Sequence, residues 1–350
     1  MQTNPHDDCI LNKIDKVTGE QITIAIHVDD LLITCKSKPM INSIVHTIKS
    51  RYQDTKINEG KKIPYLGMDI DFSTSGSAMV TLDGMIQSII DDANIPNINK
   101  ITKTPASDNI YTIDAESEEL NVQEKKYFHT FTARIVYAAR MVRIDCLMAS
   151  AFLSTRVTKS TKEDMEKLYR VIRYMKQSHD NNQRGITLTP TELTVIAHID
   201  ASYGVHSNGK SQTGACISIG PTSTVYVQSV RQQIVTKSST EAELVALSDC
   251  ANQVIHVHRF LTSQGYDIPP ATIFQDNMST MDMVKAGKST SMRTKHISIK
   301  YFWVSEQVDK GIFKIIHKDT ALMGAANVFT KPTQGSQFTN ETFALTNWDQ

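Results

Sequence analysis

Three carboxylates in the last third of this 350-residue chain stand where divalent-cation chemistry could be done. Asp200 closes an apolar, strand-like run, Val195-Ile196-Ala197-His198-Ile199. Asp276 closes another, Thr272-Ile273-Phe274-Gln275. Glu243 falls in the first turn of a helix expected over 241–262, within Ser238-Ser239-Thr240-Glu241-Ala242-Glu243-Leu244. Carboxylates at the ends of neighbouring strands, joined by one from a crossing helix, can converge on a single point. Converging anions repel, so one is driven neutral or a cation holds them together. Hard oxygen ligands suit magnesium or manganese. Two such ions about 4 Å apart activate a water and stabilise a leaving oxygen in phosphodiester cleavage. Taken singly, each residue has a plainer reading. Thr240 and Glu243 have the spacing of a helix capping box, and Asp followed by Ser or Asn is a turn former. Only the joint order and spacing point to a site.

A second carboxylate pair, Asp29 and Asp30, separates two β-rich runs, Ile22–Val28 and Leu31–Cys35. The pattern reads as a hairpin. A tight turn can hold two carboxylates against the magnesium ions of an incoming nucleotide. On spacing alone, a surface Asp-Asp turn is the plainer reading.

Elements to position these residues are legible along the chain. A helix is expected over 39–52, with Ile41, Ile44, Val45 and Ile48 on one face. Strand-like runs at 65–72 and 78–82 flank a Ser/Gly turn, and a helix follows at 84–93. Residues 95–120, with Pro96, Pro105, Glu116, Glu118 and Glu119, read as a connector. Residues 121–179 read as helical. Ile135, Ala138, Ala139 and Val142 mark one face, and Met165, Leu168, Val171, Ile172 and Met175 another. The last third alternates strands (193–199, 215–219, 224–230, 272–275, 312–316) with helices (241–262, 278–286, 294–309, 321–330). That is the pattern of a mixed-sheet α/β domain.

Composition narrows the class. Hydrophobic residues at 40% and charged residues at 21% exclude disorder throughout. No run of about 18 apolar residues exists, so no transmembrane helix and no membrane partner are expected. The opening MQTNPHDD lacks the basic and apolar regions of a secretory signal. Thirty-seven basic residues balance 37 acidic ones, so any nucleic-acid footprint must be local. The five cysteines form no CxxC pair, which excludes a zinc ribbon and a disulfide framework and suits an intracellular, cytoplasmic or nuclear setting.

The motifs together carry a resemblance. His198-Ile199-Asp200-Ala201-Ser202-Tyr203-Gly204, Thr213-Gly214, Lys237-Ser238-Ser239-Thr240-Glu241-Ala242-Glu243-Leu244 and Asp276-Asn277 resemble the ribonuclease H domain of a copia-type LTR retrotransposon Pol polyprotein. So do Arg293-Thr294-Lys295-His296-Ile297 and Ala326-Asn327-Val328-Phe329-Thr330-Lys331-Pro332. His27-Val28-Asp29-Asp30-Leu31-Leu32-Ile33-Thr34 and Tyr65-Leu66-Gly67-Met68-Asp69-Ile70 resemble the same family's reverse transcriptase palm, and the likeness runs from about residue 5 to 335. It implies an α/β fold: a partial palm over 1–105, a helical thumb or connection over 106–190, a ribonuclease H-like domain over 191–335 and a tail over 336–350. It assigns metal binding to Asp200, Glu243 and Asp276, with Glu241 the runner-up on the helix. A fourth family carboxylate falls on Asn327, a degenerate position that keeps a neutral carbonyl and loses a charge. Ser298 stands where family members carry Asp. Asp29 becomes the main polymerase ligand and Asp30 its neighbour. With 28 residues ahead of Asp29, fingers and a further palm strand do not fit. A C-terminal fragment without polymerase activity is therefore expected, partnered by the remainder of Pol if that is translated upstream.

The resemblance implies an RNA–DNA hybrid ribonuclease using magnesium, with manganese an alternative. The competing reading is a degenerate fragment that binds nucleic acid without cleaving it. Lys210, Arg231, Lys237, Lys285, Lys288, Arg293, Lys295 and Lys300 are candidates for phosphate contacts, which give salt-dependent affinity without sequence choice. Arg170, Arg173 and Lys176 could track a duplex or form a solvated basic face. Structural roles are expected for His296 and His317.

Overall fold

The computed structural model describes residues 1–52, 54–286 and 298–348, with side chains from Phe302 onward in the last segment. Its strands form three sheets. The first is an antiparallel meander of β1 (Gln2–Asn4), β2 (Asp7–Ile14), β3 (Gln21–His27) and β4 (Asp30–Thr34). β1 and β2 extend the β region beyond the expected run at 22–35. β2 has no buried residue, so pairing with β3 rather than burial holds it as a strand. β3 and β4 make the expected hairpin: His27 pairs with Asp30, which leaves Val28 and Asp29 as the turn. The exposed helix α1 (Lys38–Arg51) follows.

The second sheet contains β5 (Lys62–Tyr65), β6 (Met68–Asp71), β7 (Ala78–Thr81) and β8 (Gly185–Leu188), in that order. The run expected as one strand over 65–72 is folded back on itself. Leu66 and Gly67 take φ of 53° and 79°, and Tyr65 pairs with Met68. Two consecutive left-handed residues match the twist of a two-residue hairpin. β8 arrives from far along the chain. It packs so closely that a Cβ on Gly185 would overlap the Val80 carbonyl.

Between β7 and β8 lie α2 (Asp83–Ala93), α3 (Val122–Met141), α4 (Leu147–Ser154) and α5 (Lys162–Asp180). Asn121 and Thr161 close capping boxes with Glu124 and Asp164 at the starts of α3 and α5. The apolar faces expected on α3 and α5 are buried in one core with Ile86, Ile89, Phe128 and Phe152. The connector has few regular hydrogen bonds, and its carbonyls recruit side chains. Arg170 donates to Thr104 O at 3.1 Å and Arg173 to Pro96 O at 2.8 Å.

The third sheet is the mixed one expected of the last third. It contains β9 (Val195–Ser202), β10 (Gln212–Ile219), β11 (Ser223–Arg231), β12 (Ala271–Gln275) and β13 (Phe313–His317), in the order β11-β10-β9-β12-β13. β9 to β11 pair antiparallel, whereas β12 runs parallel to both β9 and β13. Alternate residues Val195, Ala197 and Ile199 turn to one face, where α6 (Ser239–Ser263) covers them with Leu244, Leu247, Ala251 and Val254. α7 (Met278–Ala286) and α8 (Ser298–Asp309) complete that layer through Val284 and Val304. The helix expected over 321–330 is a 3-10 turn, Thr320–Leu322, and a four-residue helix, α9 (Gly324–Asn327). Residues expected as a tail form α10 (Gly335–Thr346), whose Phe338 and Leu345 enter the helical core.

The chain after α9 crosses β10 at Gly214. A Cβ there would lie 2.5 Å from Thr330 Cγ2, 2.9 Å from Phe329 Cβ and 3.0 Å from Ala326 O. Gly214 pairs with Asp200 on β9, so this close approach also sets the height of Thr330 above Asp200. We expect Gly214→Ala to cost about 1–3 kcal/mol, as overpacking does. A lower urea midpoint would register it, and an unchanged midpoint would mean that residues 326–330 yield freely.

Candidate metal centre

The register of β12 against β9 builds the site. Thr272 pairs with Ile196, Ile273 with Ala197 and Phe274 with His198. Two residues further along each strand stand Asp276 and Asp200. α6 crosses beneath β9 and brings Glu243 up from the first turns of the helix. One oxygen from each of Asp200, Glu243 and Asp276 lies within 4.8 Å of the others. No second cluster of this kind occurs among the described residues. Asp200 and Glu243 are buried, and Asp276 is half-buried.

Each carboxylate is held by one or more donors. Asp200 Oδ2 accepts from the Thr330 hydroxyl and pairs with Lys331 Nζ at 3.1 Å. Glu243 Oε1 accepts from the Ala201 N–H at 3.2 Å, and Oε2 from Gln275 Nε2 at 3.3 Å. Asp276 Oδ2 accepts from Thr320 Oγ1 at 2.7 Å. Among the described residues, Oδ1 of Asp200 and of Asp276 have no such donor. Burial, then the charges of Asp200 and Asp276, push the Glu243 carboxyl well above the usual range. A site of hard oxygens in which burial and then mutual repulsion disfavour the charge of one member fits a divalent cation, which would offset that repulsion.

The helix start distinguishes the two glutamates. Ser238 is the N-cap, its Oγ accepting from Glu241 N at 3.2 Å. Glu241 folds back to accept from Lys237 N at 2.7 Å. The cap is therefore Ser238 with Glu241, not Thr240 with Glu243, and Glu243 is left to face the cluster. Asn327 is buried beside the site, but its amide is engaged elsewhere. Nδ2 donates to Thr320 O at 3.2 Å, and Oδ1 accepts from Lys331 Nζ at 2.9 Å. The oxygen expected as a weak fourth ligand thus serves Lys331.

Lys331, Thr330, Thr320 and Gln275 have roles that the sequence alone left unassigned. The i, i+4 spacing of Asn327 and Lys331 was the available signal. His198 adds a further feature two residues before Asp200. Its ring packs on Phe274 with centroids 5.0 Å apart, and Lys318 Nζ lies 2.9 Å from its Nε2. Burial, then Lys318, push His198 down to about 4, so it stays neutral and accepts from the ammonium.

The other expected residues are dispersed. Asp29 and Asp30 are exposed on the β3–β4 hairpin, and no third carboxylate joins them among the described residues. Lys237 and Lys285 are exposed, and Lys210 and Arg231 half-buried. Of the basic face expected on α5, Arg173 is buried and Arg170 and Lys176 are half-buried. Arg170 and Arg173 turn onto the connector carbonyls, and Lys176 pairs with Asp180 at 2.6 Å. Lys288, Arg293, Lys295 and His296 lie outside the described residues, as do the side chains of Ser298 and Lys300. His317 is exposed at the end of β13.

The chain is similar to known Pol polyproteins. It is 24% identical over 323 residues to the retrovirus-related Pol polyprotein from transposon TNT 1-94 of Nicotiana tabacum, covering 91% of this chain and 24% of that protein. It is 23% identical over 329 residues to the transposon Ty1-LR3 Gag-Pol polyprotein of Saccharomyces cerevisiae, covering 90% and 18%. It thus spans a quarter or less of these relatives. No family model matches. In fold, it aligns with a foamy viral protease-reverse transcriptase solved in complex with RNA/DNA hybrid. The TM-score is 0.53 at 11% identity, covering 87% of this chain and 36% of that one. Among the described residues, no helix is long and apolar enough to cross a membrane.

The raised Glu243 carboxyl gives a pH signature. Without a cation, the folded chain holds this proton more tightly than the unfolded chain does. Its stability is therefore full below the ordinary value of 4.5 and is lost as pH rises through the raised value. We expect Glu243→Gln to flatten that decline when urea midpoints are measured in a chelator. Manganese at neutral pH should raise the parent midpoint more than the variant's. Parallel pH profiles would mean that Glu243 is not strained by its neighbours.

Proposed function

We propose that this chain, a relative of copia-type retrotransposon Pol polyproteins with a ribonuclease H-like last third, hydrolyses the RNA strand of an RNA–DNA hybrid. The convergence of Asp200, Glu243 and Asp276 within 4.8 Å carries the reading. These three would hold magnesium, with manganese as a substitute, and the metal would supply the Lewis acid that activates water beside a phosphodiester.

The protein's own part is positioning. Thr330, Gln275 and Thr320 each fix one oxygen of a carboxylate, and the Ala201 N–H fixes a second oxygen of Glu243. Free rotation of the three side chains is thereby lost before substrate arrives, which lowers the cost of ordering the site. The half-burial of Asp276 leaves the cluster open on one side, where a phosphate backbone can approach. Lys210 and Lys237 would bind backbone phosphates around it, and the hybrid would be read by shape and by 2′-hydroxyls. Arg293 and Lys295 belong to the same proposed phosphate set on sequence grounds alone. Asp29 and Asp30 receive no polymerase role, because they are exposed and no third carboxylate joins them among the described residues. The second reading is a fragment that binds nucleic acid without cutting, and the engagement of Asn327 by Lys331 favours it.

A labelled hybrid incubated with the full chain distinguishes the two. We expect magnesium-dependent cuts in the RNA strand. Asp200→Asn should reduce the rate by at least about 100-fold, beyond the 10–100-fold typical of an outer-shell partner. Binding without cleavage at every magnesium and manganese concentration would establish the second reading instead.

Affinity has its own signature. With about four phosphate contacts, binding should weaken roughly a hundredfold between 50 and 200 mM salt. It should change little with base sequence. Affinity flat over that range would count against nucleic acid as the partner.

A further inference from the structure

We propose that the ammonium of Lys331 is the second cation of the carboxylate site, so that the cluster takes one divalent ion rather than two. The inference rests on the hydrolytic reading only in requiring that Asp200, Glu243 and Asp276 bind a metal.

Lys331 Nζ sits between two oxygens that a second metal ion would need. It is 3.1 Å from Asp200 Oδ2 and 2.9 Å from Asn327 Oδ1. The amide orientation follows from chemistry, because an ammonium only donates and the Thr320 carbonyl only accepts. Asn327 Nδ2 donates to Thr320 O at 3.2 Å and also faces the Glu341 carboxyl, which leaves Oδ1 toward Lys331. Backbone geometry fixes the lysine as well. Lys331 N donates to Asn327 O at 2.8 Å, and the turn after α9 sets the lysine stem above the asparagine. Asp200 Oδ2 also accepts from the Thr330 hydroxyl, so a metal could reach that oxygen only by displacing a cation from a crowded position.

The charge count agrees. Three carboxylates carry three negative charges, and Asn327 adds none. One lysine reduces the sum to two, which a single divalent ion balances; Glu341, the further carboxyl that Lys331 and Asn327 meet, is pushed toward its neutral form by burial. A carboxylate at position 327 would raise the sum by one and would itself compete for Lys331. Neutral asparagine and lysine therefore work as a pair. Oδ1 of Asp200 and of Asp276, together with Glu243, remain for the one ion. The Lys331 side chain is 40% exposed while Asp200 is 2% exposed. Its ammonium therefore spans from the buried carboxylate to the open side of the site, where it could also meet a substrate phosphate.

Manganese binding to the full chain, followed by the resonance signal of free manganese, tests this without reference to activity. The ions lost on Asp200→Asn define the site. We expect one such ion in the parent protein and one in Lys331→Arg, which keeps the charge. Lys331→Met and Lys331→Gln should each bind a second ion, and the first should bind about tenfold tighter, a change of about 1.4 kcal/mol. Unchanged urea midpoints in these variants would show that the fold is intact, as expected for a half-exposed side chain. Two ions in the parent protein would overturn the proposal and leave the hydrolytic reading standing. One ion of unchanged affinity in both uncharged variants would do the same. If no variant binds an Asp200-dependent ion, the hydrolytic reading itself fails, and this inference with it.

Discussion

The parallel pairing of β12 with β9 is the constraint on which the site depends. In an antiparallel pair, two strand-end aspartates stand at opposite ends. Here Phe274 lies beside His198, and both chains continue in the same direction. Asp200 and Asp276 therefore stand toward the same end of the sheet and on one face. Ligand sites lie beyond the carboxyl ends of parallel strands in α/β sheets for the same geometric reason. Reversing β12 would carry Asp276 to the other end of the sheet, and slipping its register by one residue would turn it to the opposite face.

Bringing three carboxylates together is unfavourable by itself, and the surroundings show how the protein manages it. The Ala201 N–H and the Gln275 side chain donate to Glu243, yet burial and its acidic neighbours still raise its proton affinity. Asp200 has a stronger partner in Lys331. The two buried members of the cluster thus differ: Asp200 pairs with a cation, whereas Glu243 is pushed toward its neutral form. A preformed anionic cluster costs fold stability, which a bound divalent ion would offset.

The segment that delivers Thr330 and Lys331 is itself held by the rest of the protein. Phe329 is buried in the helical core along with Val328. Ser229 Oγ donates to Phe329 O at 2.6 Å, and the Tyr111 hydroxyl donates to Thr330 O at 3.1 Å. Tyr111 belongs to the connector, and its ring packs edge-on against Phe152 of α4. The helical region thus reaches the carboxylate cluster through residues 328–331 without adding a carboxylate to it. Gly214 provides the clearance that lets this segment lie flat on β10.

Much of this was legible in the sequence. Alternating and 3.6-residue periodicities marked the mixed sheet, α6 and the faces of α3 and α5, because burial of those faces drives the elements to form. Asp200, Glu243 and Asp276 could be singled out because their flanking motifs are dense, and the fold brings the three together. The divided run at 65–72 was not legible, because a left-handed Leu66 leaves no compositional mark. The strand β8 was hidden too, since its partner β7 is a hundred residues away. The sequence could not decide between Glu241 and Glu243 on local physics, because both fit a first turn. The fold separates them by starting α6 at Ser239, which leaves Glu241 at the cap and turns Glu243 to β9. Arg170 and Arg173 looked like a basic face, and the connector's unpaired carbonyls took them inward. Lys331 was only one cation among 37 basic residues, and the fold alone set it between Asp200 and Asn327. Periodicity records which face is buried, whereas the partner of a charged side chain depends on which distant backbone comes to lie beside it.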